Sequence, residues 1–170
     1  AIVMLHHFTD QSRIRLENTW LESYLDWTIE TIEICKRNTQ INWIFKAHPY
    51  EFRYPIKEYC RDKIVNSIHK NGFIYVESKE ELLHGEVEKI ASLIVTCNGS
   101  CKLEYPALFG IPVISCIGRL IPYEPFDLPL TAKNYAEYEN LLMNAHNIIL
   151  TNNQKRKFKE LIAFNKNLGG

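Results

Sequence analysis

Three short stretches gather the residues able to do chemistry: HHFTDQS at 6 to 12, KAHPYEF at 46 to 52 and NGSCKLE at 98 to 104. In the third, Gly99 permits close backbone approach, and Asn98, Ser100 and the amides of a following helix start suit an anionic oxygen of phosphate size. Read alone, the Asn-Gly-Ser tripeptide is first of all a turn and a helix cap. In the second stretch, Pro49 stiffens the turn while the His48 imidazole can donate to a phosphate oxygen. Lys46, two residues earlier on the same strand face, adds charge there or simply edges the sheet. Glu104, near a helix start, can accept from the vicinal hydroxyls of a ribose as a charged acceptor. Its plainer role is compensation of the helix dipole, about 0.3 to 1 kcal/mol. Asp10 and Ser12 suit helix capping, and His6 and His7 alternate faces along a strand, one of them expected to be buried and satisfied.

The elements that would position these stretches follow from periodicity. Apolar runs bounded by turn signals predict strands over 2 to 8, 41 to 46, 73 to 76, 93 to 97 and 111 to 116. Between and after them, helical patterns run over 17 to 37, 55 to 70, a short one near Glu80, 102 to 109, 133 to 145 and 152 to 165. In the second of these Ile56, Cys60, Ile64 and Ile68 recur at fourfold spacing; in the first, Trp20, Tyr24 and Trp27 recur at helical spacing and read as core. Pro106 forgoes a hydrogen bond if its helix begins at Ser100, which predicts a later start or a bend. Strands apolar on both faces and alternating with helices imply a parallel, Rossmann-like doubly wound α/β sheet of about five strands. In such sheets ligands sit beyond the carboxyl ends of the strands, where strand order reverses. With order 3-2-1-4-5 that crevice lies between the first and fourth strands, and all three chemical stretches fall on that edge. Arg119 and Tyr123, after the fifth strand, would reach the same edge.

Bulk composition narrows the partner. The 170 residues suit one domain, 1 to 170, and 46% apolar content argues for a real core. Twenty basic residues balance twenty acidic ones, so no broad positive face for nucleic acid is implied. A small, locally charged ligand fits better. The five cysteines include no Cys-x-x-Cys, which points to reduced core thiols and to no metal site. The chain opens on a core-like run, AIVMLHHF, which suggests a piece of a longer protein.

Taken together, ESYLDWTIETI with NWIFKAHPYE, VTCNGSCKLEYPALFGIPVI, and PYEPFDLP with NYAEYENLL resemble the carboxyl-terminal half of bacterial capsule and surface polysaccharide glycosyltransferases of the GT-B fold. These include relatives that use CMP-activated Kdo or sialic acid. The likeness spans residue 6 to about 142; His48-Pro49 is similar to the family's His-Pro motif, and Asn98-Gly99-Ser100 with Glu104 stands at its Ser/Thr-containing loop and glutamate. The resemblance implies that Lys46, His48, Asn98, Gly99, Ser100 and Glu104 bind the phosphates and ribose of a CMP- or UDP-type sugar donor, with no permanently bound cofactor. It implies a glycan or lipid-linked acceptor, a cytoplasmic location or a peripheral one at the inner face of the membrane, and a missing amino-terminal acceptor domain that carries the catalytic base. The isolated piece is then inactive in transfer. Two other readings stay open: half of a nucleotide-sugar epimerase, and a non-enzymatic nucleotide-binding α/β module.

Overall fold

The computed structural model describes residues 1 to 8, 20 to 49, 51, 58 to 78, 84 to 116 and 130 to 168. Strands β1 (Ile2–Met4), β2 (Ile44–Lys46), β3 (Ile74–Val76), β4 (Ile94–Thr96) and β5 (Val113–Ile114) form one all-parallel sheet in the order β3-β2-β1-β4-β5. The expected strand order is therefore the observed one, with shorter strands than the apolar runs suggested. The runs are longer because the residues flanking a central strand are also enclosed: Leu5, Ala47, Leu93 and Cys97 are all buried.

Helices α1 (Tyr24–Arg37), α2 (Glu58–Lys70), α3 (His84–Ile90), α4 (Cys101–Leu108), α5 (Tyr135–Met143) and α6 (Asn152–Leu168) complete the fold, with a 3-10 turn at Ala145–Asn147. Alternation along the strands sorts them into layers. Val3, Phe45, Val95 and Ile114 point to one face, where they pack with Trp27, Ile32, Ile64, Ile68, Tyr138 and Leu142 from α1, α2 and α5. Ile2, Ile94 and Val113 point to the other, against Val87 and Ala91 at α3 and Tyr105 of α4. A further layer lies outside α4, whose Leu103 and Ala107 meet Leu150 and Phe158 of the α6 segment. Past the end of β5, a single parallel bridge joins Ser115 to Thr131.

Two helix starts differ from the periodic pattern. α1 begins at Tyr24, not at 17: Ser23 adopts an extended backbone and its hydroxyl accepts the Asp26 N–H at 3.1 Å, a capping contact that fixes the start. Trp20, half-buried against Tyr135 and Tyr138, therefore packs from outside the helix. α4 begins at Cys101 and runs through Pro106 to Leu108, so the lost hydrogen bond is simply forgone. Asp10, Ser12, Ile56, Glu80, Arg119 and Tyr123 lie outside the described residues. Among the described residues no helix is long and apolar enough to cross a membrane, and no group of three or more His, Cys, Asp or Glu side chains is arranged to hold a metal.

Candidate functional site

The carboxyl edge of the sheet brings the described parts of the three predicted stretches together. β1 lies between β2 and β4, and beyond it His6 reaches the loop after β4 while His7 meets the loop after β2. The His6 Nε2 accepts the Asn98 N–H at 3.1 Å and lies 3.0 Å from the Thr96 hydroxyl oxygen. That hydroxyl donates to the Asn98 carbonyl at 2.6 Å. Both polar groups of the Asn98 backbone are thus tied down at the point where strand order reverses. The imidazole stacks on Tyr24, with ring centres 4.3 Å apart, and stands edge-on to Trp27. Burial foremost, then the nearby His48, pushes its pKa down to about 3, so the ring is neutral at ordinary pH.

The loop itself is built around Gly99, whose φ of +136° lies where side-chain-bearing residues are strained. A Cβ there would meet Cys101 Sγ at 3.4 Å and His6 Cε1 at 3.9 Å, ordinary contacts, so the glycine requirement is conformational. The Asn98 side chain, buried, turns back to accept the Gly99 N–H at 3.0 Å. The amides of Lys102, Leu103 and Glu104 fold inward onto the Gly99 and Ser100 carbonyls. Those of Ser100 and Cys101 donate to none of the described residues. Of the helix-start amides anticipated for an anion, those of Lys102, Leu103 and Glu104 are thus used within the protein, as are the loop amides of Asn98 and Gly99. Ser100 makes no side-chain cap on α4 and is exposed, so the capping role suggested by its position is not the one it plays. Glu104 stands half-buried in the first turn of α4. Cys101 is no nucleophile here: burial, aided by the Glu104 charge and opposed by a hydrogen bond with Thr96, pushes its thiol up to about 11.

On the other side of β1, Lys46 ends β2 as a buried lysine, and its carbonyl accepts the Leu5 N–H at 2.9 Å. His48 follows in a turn closed by the Glu51 N–H donating to the His48 carbonyl at 3.0 Å. The His48 ring stands edge-on to His7, with centres 6.4 Å apart, and His7 is itself buried. Thus His7 is buried and His6 half-buried, each facing a different loop.

Three features had no pattern to announce them. His6 bonds partners 90 and 92 residues away. Lys102 is buried in the first turn of α4, although its flanks read as an amphipathic surface helix. Arg61 of α2 holds the loop after β2 to the end of β3: its guanidinium grips Glu77 through both carboxylate oxygens and lies 3.3 Å from Glu51. The hydrogen bond to Glu77 raises the Arg61 pKa, and burial raises that of Glu51 despite Arg61. Apolar spacing in α2 marks the face that packs inward and carries no signal for the arginine beside it. Set against models of known protein families and against curated proteins, the chain finds no match.

Proposed function

We propose that this chain is the donor-binding domain of a glycosyltransferase that moves a sugar from a CMP- or UDP-type nucleotide to a surface polysaccharide acceptor. The observation that supports it is the convergence of the His6-His7, Lys46-His48 and Asn98-Glu104 segments on one edge of a parallel sheet at its strand-order reversal. On this reading His48 and Lys46 neutralise the donor phosphates from one side. The open amides of Ser100 and Cys101 do so from the other, and Glu104 takes the ribose hydroxyls. As the nucleotide departs, negative charge gathers on its phosphate, and fixed donors already aimed at that oxygen lower the barrier. The acceptor and the base that deprotonates it belong to a second domain.

Calorimetric titration with UDP and CMP tests this. One hydrogen bond to a charged group is worth about 1.5 to 3 kcal/mol, so His48→Ala should weaken binding by roughly tenfold to a hundredfold in a folded protein. Glu104→Gln should erode the preference for ribonucleotides over 2′,3′-dideoxynucleotides. Affinity untouched by His48→Ala would remove the phosphate assignment, and free epimerised sugar formed without acceptor would point to an epimerase instead.

A further inference from the structure

We infer that His6 is itself a ligand-binding residue, with its Nδ1–H the hydrogen-bond donor it offers to a phosphate oxygen in the crevice between β1 and β4. The inference rests on the donor-domain reading for the identity of the ligand, but its geometry stands on the protein alone. A neutral imidazole has one N–H and one lone pair, and the environment decides which nitrogen holds which. Here Asn98 points an N–H at Nε2 from 3.1 Å, so Nε2 supplies the lone pair and the proton rests on Nδ1. The Thr96 hydroxyl, already donating to the Asn98 carbonyl, does not require a proton on Nε2.

Nδ1–H is then left over. Among the described residues it has no hydrogen-bond partner, and the residue as a whole is half-buried, not sealed in the core. Cε1, the carbon between the two nitrogens, lies 3.9 Å from the place a Cβ on Gly99 would take. The ring edge between the two nitrogens therefore lies along the glycine loop, whose Ser100 and Cys101 amides donate to none of the described residues. Stacking on Tyr24 fixes the ring plane, so little orientational freedom is lost on binding. His6 joins the two roles in one ring: Nε2 holds the loop in place and Nδ1–H reads what enters it.

The two nitrogens can be separated by substitution, because a glutamine amide reaches about the position of Nε2 and an asparagine amide about that of Nδ1. His6→Gln should keep an acceptor for the Asn98 N–H and a near wild-type melting temperature, yet bind UDP and CMP roughly tenfold or more weakly. His6→Asn should keep the donor and loosen the loop. In the wild-type protein, a long-range proton–nitrogen NMR correlation should show the Nδ1–H tautomer at neutral pH, and saturating UDP should shift the Nδ1 resonance more than the Nε2 one. An Nε2–H tautomer, or an Nδ1 signal unmoved while UDP binds, overturns the inference even if a variant misfolds. Affinity lowered by His48→Ala but not by His6→Gln overturns it while sparing the donor-domain reading. Failure of the wild type to bind either nucleotide overturns both.

Discussion

At the scale of single residues, the neutrality of His6 ties the site to pH. Its pKa of about 3 in the folded chain lies below the value near 6.5 of an unfolded one. Between those values the unfolded chain binds the extra proton, so stability is complete above about pH 6.5 and is lost as pH falls toward 3. At pH 5 the loss is about 2 kcal/mol from this group, and chemical denaturation at pH 5 and 7 should show that decline shrinking in His6→Gln. An equal decline in both would assign the acid sensitivity elsewhere. Glycine in the loop, His48 beside its proline, and Glu104 past the loop were all legible in the sequence, because turn chemistry is local. The role of His6 was not: strand alternation says that one histidine points inward, and only the register of β1 against β4 says what it meets there.

At the scale of elements, the alternation of apolar runs and helical patterns was enough to give every described strand and helix its place in the order. Boundaries were less legible. α1 loses its first predicted turns to the Ser23 cap, a local competition between a side-chain acceptor and helix continuation that apolar spacing does not register. α6 was foreseen as a helix but not as a layer of its own. It starts with a capping box, Thr151 and Gln154 exchanging hydrogen bonds with each other's backbone N–H, and seats Phe158 against Leu103 and Ala107. α4 carries the candidate loop at its start, so α6 supports that loop from behind. Phe158→Ala should cost about 3 to 5 kcal/mol if this layer is integral to the fold. A cost below about 1 kcal/mol in urea denaturation would mean that α6 rests on the domain without contributing to its core.

At the scale of the whole molecule, the balanced charge conceals an uneven distribution: α6 holds five of the twenty basic residues and one of the twenty acidic ones. The strand order has a wider consequence, which concerns time. β1 is central, and its two neighbours arrive far apart along the chain, Ile44 facing Ile2 on one side and Ile94 on the other. Closing the longer loop carries an additional entropic penalty, about 0.6 kcal/mol for a doubling of length. The two sides of one strand are thus predicted to form in sequence, the β2 side first. Two amides of the β1 segment report them separately: Leu5 N–H donates to Lys46, and Ile2 N–H to Leu93. Pulse-labelled hydrogen exchange during refolding should protect Leu5 before Ile2; simultaneous protection would make assembly of the sheet a single event. In the predicted order, the crevice that His6 closes with Asn98 is among the last parts of the molecule to exist, and until then the newborn chain exposes an unfinished, strongly apolar strand edge to its surroundings.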